Sequence, residues 1–236
     1  MKRVGIVALN TFREAVRDRV LYNLVFFALL MMLAGVVVGQ ISIGIEESVI
    51  VSLGLSAISV IGLLISVLIG VALVSKEMEK RTLYALLAKP VRRWEFLLGK
   101  FGGLVLTLAV NTAAMAAGLF LVMLYVKHSL QREDAVVLVA VYFIWLKLAL
   151  IVALALMFSC FTTPLLAILF TAGLYIVGLY VQELRNLPVD VMSPAMAAHG
   201  RAVPGTLILQ NTLYVVIYCA IVLTGAAAVF SRKNLK

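Results

Sequence analysis

The chain of 236 residues is far more apolar than a soluble fold requires: 64% of its residues are hydrophobic, the mean hydropathy is +1.13, and the formal net charge is +9. Soluble domains contain about 45–50% apolar residues, so the surplus predicts a surface that faces lipid. Lysine and arginine in such proteins flank the spans and set their orientation. The chain has no basic face with interleaved aromatic residues of the kind that reads single strands, and we expect no nucleic-acid partner.

The amino-terminal segment, residues 2–19, predicts an amphipathic helix with an apolar side and a polar, basic side. We expect this helix to lie in the membrane interface; the alternative is a cytoplasmic extension of the first span. Its mixed charge differs from the apolar core of a cleaved signal peptide, so we expect it to be retained. The apolar side consists of Val4, Ala8, Phe12, Ala15 and Val16.

Six segments are long and apolar enough to cross the hydrocarbon, which takes about 20 residues. Fifteen lysine and arginine residues fall on one side of these segments and four on the other, which places both termini in the cytoplasm. We therefore expect an all-α membrane protein with one transmembrane domain over residues 1–236. The pattern Gly35-VVV-Gly39 is a candidate contact between two copies. The predicted spans are residues 20–38, 49–74, 101–126, 135–159, 164–181 and 207–230.

The outer connection, residues 182–206, contains three prolines and two glycines that forbid one continuous helix. We expect short re-entrant helical pieces covered by protein; the alternative is a surface loop. Met192, Met196 and His199 recur there at helical spacing. Thioether and imidazole ligands suit Cu(I), although methionines in an apolar piece more often serve packing.

The connection between the second and third spans combines an apolar stripe with many charged residues. Leu83, Leu86 and Leu87 follow helical spacing, Thr82 is suited to cap the helix start, and Pro90 ends it. This pattern predicts a short helix parallel to the membrane, with one face buried and one presented to the cytosol.

This segment resembles the ABC-2 type permeases, and within them it is similar to the short six-span permeases of copper-enzyme-maturation-like export systems. The interfacial first helix, the long last outer loop and the basic tail also fit that family's layout. The matching residues are Glu77 and Glu79, Thr82-Leu83, Leu86-Leu87, Pro90-Val91, Arg93 with Glu95, and Leu97-Leu98-Gly99-Lys100.

The resemblance implies an ABC-2 exporter (type V) fold in a bacterial or archaeal cytoplasmic (inner) membrane. It also implies that residues 77–93 form a coupling helix, which docks on a separate ATPase subunit and converts nucleotide-driven closure into movement of the spans. Two ATPase copies and a second permease, identical or a sister, would complete the complex. The coupling residues would be Glu77, Glu79, Arg81, Thr82, Leu83, Tyr84, Leu86, Leu87, Lys89, Pro90 and Arg92.

The sequence contains no GxxxxGK[ST] phosphate loop and no catalytic constellation. We expect a transport subunit that is not itself an enzyme and binds no cofactor directly, with ATP and Mg²⁺ on the partner ATPase. The expected cargo is lipidic, amphipathic or destined for the periplasm. Membrane lipids, and a periplasmic protein as a further candidate, complete the expected partners.

Lys147 lies near the middle of the fourth predicted span, where a lysine costs about 2.5–3.5 kcal/mol. Asn111 falls at a similar depth and is positioned to share a hydrogen bond with it. Two interpretations stay open for Lys147: a cationic spot that faces anionic cargo or gates a pathway, and a satisfied packing contact. Gln40, Gln210 and Asn211 near the outer ends are candidates for an exit path.

Two other functions remain open at this point. An ATP-independent secondary transporter or channel would show inverted repeats or charges along several spans, and the sequence shows one central charge. A mechanotransmitting scaffold that moves no cargo would also need the coupling helix. A continuous polar path through the spans would distinguish the exporter from the scaffold.

Overall fold

The computed structural model describes residues 2–17, 22, 25–26, 29–30, 32–37, 46–79, 93–127, 135–185 and 205–232. These residues are helical apart from short connections, which confirms the predicted all-α class. The described positions between residues 22 and 37 are helical too, within the predicted first span. The helices are α1 (Lys2–Val16), α2 (Glu46–Glu79), α3 (Arg93–Lys127), α4 (Ala135–Ser159), α5 (Pro164–Arg185) and α6 (Gly205–Arg232).

Helix α4 forms the core of the molecule and packs against α2, α3, α5 and α6. It is apolar on all sides, which is typical of a helix surrounded by other helices or lipid. Leu148, Val152 and Leu156 are fully buried. The helix covers the same residues as the fourth predicted span.

Helices α2 and α3 are longer than the spans predicted for them. At 1.5 Å per residue, their 34 and 35 residues extend over about 51 and 52 Å, against about 30 Å of hydrocarbon. Helix α2 continues to Glu79, beyond the predicted end at residue 74, and α3 begins at Arg93 rather than at residue 101. Residues 93–100, which the prediction placed before the third span, therefore belong to α3 itself.

A tight connection joins α4 and α5 and makes them antiparallel neighbours. The amide of Thr162 donates to the Phe158 carbonyl at 3.0 Å, which closes the end of α4. Pro164 opens α5 at the first helical position, where its missing N–H costs nothing. The Thr163 carbonyl accepts from Ala167 at 2.9 Å and so begins the new helix.

Glycines set the closest approach between α2 and its neighbours. A β-carbon at Gly62 would lie 2.5 Å from Leu148 Cδ1 of α4, and one at Gly54 would collide with Leu119 of α3. Gly35 also packs within the chain, because its β-carbon position lies 3.6 Å from Leu53 Cβ of α2. Gly39, the second glycine of the predicted contact between two copies, lies outside the described residues, so that contact stays a prediction.

The helices have the dimensions and surface of a membrane protein. Four of them are long and apolar enough to cross a bilayer, over Ser48–Ala72, Trp94–Val126, Ala135–Ser159 and Gly205–Val229, and a shorter apolar helix covers Pro164–Leu179. Large apolar side chains are exposed along α5 and α6, including Leu165, Leu169, Leu209 and Ile221. Such surfaces are stable against lipid rather than water.

Candidate functional site

The first part of the candidate site is a glycine groove at the start of α3 that receives α1. A β-carbon at Gly99 would lie 2.6 Å from Val7 Cβ, and one at Gly103 would lie 2.5 Å from the Ala8 carbonyl oxygen. Only glycine lets the two backbones approach this closely. Thr11, on the same side of α1, is 1% exposed. Helix α1 is therefore held against the stretch of α3 that directly follows the predicted coupling segment.

An ion pair lies beside this groove. Lys100 Nζ of α3 lies 3.6 Å from Glu14 Oε2 of α1, and Lys100 is 3% exposed although Glu14 is 45% exposed. The ammonium also lies 5.8 Å from the centre of the Phe96 ring, within the range of a cation–π contact. The buried lysine thus meets a carboxylate and an aromatic face where α1 and α3 cross.

The predicted coupling segment is framed by the ends of α2 and α3. Glu77 and Glu79 lie in the last turns of α2, and α3 starts at Arg93. Arg93 lies six residues before Gly99 of the α1 groove on the same helix. The other predicted coupling residues lie outside the described residues: Arg81, Thr82, Leu83, Tyr84, Leu86, Leu87, Lys89, Pro90 and Arg92.

The second part of the candidate site is Lys147, the thirteenth of the 25 residues of α4. Its ammonium donates to Ser59 Oγ of α2 at 2.8 Å and to Tyr175 Oη of α5 at 3.5 Å. It also lies 5.5 Å from the centre of the Tyr175 ring. All three side chains are partly exposed. Lys147, Ser59 and Tyr175, which we call the lysine–hydroxyl cluster, thus join three helices near the middle of the spans.

The predicted hydrogen bond between Lys147 and Asn111 does not form. Asn111 is 7% exposed on α3, and its Nδ2 has no hydrogen-bond partner. Lys147 instead turns toward α2 and α5, because the hydroxyls of Ser59 and Tyr175 lie at its own depth there.

The remaining predicted pathway and metal residues are not brought together in the described part of the chain. Gln210 is exposed and Asn211 is partly exposed on the first turns of α6. Gln40, Met192, Met196 and His199 lie outside the described residues. Within the described ranges, no group of three or more His, Cys, Asp or Glu side chains is arranged to hold a metal ion.

Sequence reasoning missed both partners of Lys147 and the partner of Lys100. A lysine in the middle of a span requires a polar neighbour, and Ser59 and Tyr175 are hydroxyl residues near the midpoints of their own apolar segments. Alignment of the spans by depth would have found both. The pair of Lys100 with Glu14 carried a weaker signal, since the packing of α1 against α3 was not predicted.

The helix lengths, the lipid-compatible surface and the glycine-mediated packing define a multi-pass helical membrane protein. The chain belongs to the ABC-2 family of transporter proteins, whose family model matches residues 6–189, and this confirms the resemblance seen in the coupling segment. The match runs from α1 beyond the end of α5. No curated protein matches the chain. The protein is thus a membrane component of an ABC transporter, a permease.

Proposed function

We propose that this chain is the permease subunit of an ATP-driven exporter, and that a separate ATPase subunit drives it through residues 77–93. The observation that carries the proposal is the family match over residues 6–189, which includes the whole predicted coupling segment. The cargo would leave the cytoplasm or the inner leaflet. Two permease copies with two ATPase subunits would form the transporter, with ATP and Mg²⁺ on the ATPase.

The lengths of α2 and α3 support this proposal. Each exceeds the hydrocarbon thickness by about 20 Å, and the two ends that adjoin in the chain lie on the same side. A connection between such ends would lie outside the lipid, where a soluble subunit could reach it. Seven lysine and arginine residues between Ser75 and Lys100 make this side cytoplasmic by the positive-inside rule.

The α1 groove supports a mechanical connection to the spans. Because α3 is one continuous helix from Arg93 to Lys127, a displacement of its first turn is carried into the membrane without an intervening hinge. An amphipathic helix laid in a groove of a partner is an established mode of binding, and the coupling segment would receive the displacement through such a contact. Helix α1 would lie in the membrane interface and stabilise the base of α3.

The proposal is tested by co-purification of the chain with the ABC ATPase subunits of its host, comparing wild type with Leu86→Asp/Leu87→Asp. The aspartates would remove the apolar stripe that we expect to enter the ATPase groove, so the complex should be lost or its ATP hydrolysis uncoupled from the permease. The matched control, Leu86→Met/Leu87→Met, keeps the stripe apolar and should keep the complex. Failure of any ATPase to associate with the wild type would refute the proposed coupling.

A further inference from the structure

The hydroxyls of the lysine–hydroxyl cluster differ from the buried hydroxyls of α2, α3 and α5. Those of Ser66, Thr107, Thr112 and Thr171 donate to carbonyls of their own helices, which satisfies them locally. Ser59 and Tyr175 instead accept from Lys147, and neither donates to another residue of the described ranges. Each hydroxyl keeps its own O–H donor, and the ammonium has a third N–H. Three N–H and O–H groups of the cluster therefore have no acceptor among the described residues.

The described helices around Lys147 hold no carboxylate at its depth. Helix α4 contains no Asp or Glu, and the nearest carboxylate residues along α2 and α5 are about 18 and 12 Å of helix rise from Ser59 and Tyr175. They are Glu47 and Glu183. The same three helices of a second copy would supply no carboxylate at this depth either.

A line of small hydroxyls leads from the cluster toward the start of α2. Ser48, Ser52, Ser56 and Ser59 follow one another at intervals of four, four and three residues, which places them on one side of the helix. All four are partly exposed. Val60, beside them, is 56% exposed, and Val177 of α5, near Tyr175, is 57% exposed. A polar track thus lies next to apolar surface at the middle of the spans.

From these observations we propose that the lysine–hydroxyl cluster binds the anionic head group of an amphiphile, and that such amphiphiles are the cargo. The cargo assignment rests on the exporter function proposed above; the binding site itself does not. A carboxylate or phosphate would accept from Lys147 Nζ and from the hydroxyls of Ser59 and Tyr175. Its alkyl part would lie along the exposed apolar side chains of α2 and α5.

The energetics favour an anionic ligand over a neutral one. A charged lysine at the middle of a bilayer is costly and needs a partner, and a charge-assisted hydrogen bond is about twice as strong as a neutral one. The two hydroxyls accept hydrogen bonds from the ammonium but carry no negative charge to balance it. An entering anion would supply the missing charge and also the acceptors that the free O–H donors lack.

The test is binding of a dansyl-labelled undecanoic acid to the purified permease in phosphatidylcholine nanodiscs, with the methyl ester of the same probe as the neutral control. We expect Lys147→Met to weaken binding of the acid by about tenfold or more and to leave binding of the ester unchanged. Ser59→Ala and Tyr175→Phe should each give smaller losses. Tyr142→Phe is the matched control, because the Tyr142 hydroxyl meets Thr212 at 3.0 Å and not the cluster.

Equal binding of the acid and the ester by the wild type would overturn the proposal. The Ser59→Ala/Tyr175→Phe double variant keeps the lysine and is a second test in case Lys147→Met misfolds. If both variants bind the acid as tightly as the wild type does, the proposal is also overturned.

Competition identifies the source of the head group. Displacement of the probe by phosphatidylglycerol, a bilayer lipid, or by dodecyl phosphate, a single-chain amphiphile, would support the site. Displacement by inorganic phosphate at the same concentration would overturn the proposal that the ligand is an amphiphile. The assay contains no ATPase, so a failure of the ATPase co-purification and a failure of this site are seen separately.

Discussion

Two lysines of the helical bundle, Lys100 and Lys147, are accommodated in different ways according to their positions. Lys100 lies two turns into α3 and reaches the carboxylate of Glu14 on α1. Lys147 is the middle residue of α4 and donates to hydroxyls on α2 and α5 instead of to a carboxylate. Carboxylates near helix ends stay close to water, whereas a carboxylate at mid-span would add a second desolvation cost. The position of a lysine along its helix therefore decides what can neutralise it.

The glycine groove of α3 gives a sharp prediction at the same scale. Gly103→Ala should destabilise the protein by about 1–3 kcal/mol, because the new methyl group would meet the Ala8 carbonyl oxygen at 2.5 Å, and a backbone atom cannot rotate away. Thermal unfolding of the purified protein in detergent measures the change. The neighbouring Gly102→Ala is the control, since its methyl group would lie 3.8 Å from Ala8 Cβ in ordinary contact. Equal effects of the two substitutions would contradict the tight docking of α1.

At the scale of elements, the contact between α2 and α4 depends on where glycine meets leucine. The Leu148 side chain lies over Gly62 and is fully buried, so a larger residue at 62 has no free space to enter. Close approach over small residues is a main source of association between helices in lipid, where apolar surface alone gives no driving force. The glycines of α2 therefore contribute to stability through the distance between helix axes.

Gly62→Val should accordingly lower the stability of the bundle by about 1–3 kcal/mol through overpacking. A matched valine at Gly173 of α5, where nothing lies within 4 Å, should change it much less. Partial recovery by the second substitution Leu148→Ala would show that steric overlap is the cause, rather than the lower helix propensity of valine. Unfolding midpoints of Gly62→Val, Gly173→Val and the Gly62→Val/Leu148→Ala double variant decide this, and a loss at Gly62 that Leu148→Ala leaves untouched would argue against it.

Which elements could be predicted from the sequence depended on how continuous their apolar patterns were. The uniform run of α4 ended at charged residues on one side and at Pro164 on the other, so its bounds agree with those predicted. The ends of α2 and α3 carry charges that resemble a loop, yet both helices continue through them. A helix can continue beyond the hydrocarbon of the membrane, because its hydrogen bonds do not depend on lipid. The composition of the sequence marks where the hydrocarbon ends and does not mark where the helix ends.

At the scale of the whole molecule, the arrangement of the spans predicts which connections face the cytoplasm. In a variant with Cys160 and Cys219 replaced by alanine, a membrane-impermeant maleimide should label Gln131→Cys in intact cells. The same reagent should label Ala88→Cys only after permeabilisation, since residue 88 would lie on the ATPase side. Each cysteine serves as the control for the other. Labelling of Ala88→Cys in intact cells would show that the orientation is reversed.

The family relationship was also predictable, because it rests on a short local pattern. The Thr-Leu, Leu-Leu, Pro-Val and Leu-Leu-Gly-Lys sequence of residues 82–100 pointed to the ABC-2 permeases, and the family match over residues 6–189 confirms that relationship. Spacing along a short stretch of the chain is enough to define such a pattern. Contacts between distant segments carry no comparable mark in a single sequence.

The sequence by itself determined the all-helical membrane class, the family and the mid-span position of Lys147, since composition, local motifs and depth along a helix are properties of the chain order. Only the tertiary structure decided that Lys147 meets Ser59 and Tyr175 rather than Asn111, and that Gly35 packs on Leu53 of α2. The physical reason is rotation about the helix axis. Depth follows from residue number, but the direction of a side chain depends on how all the helices pack together.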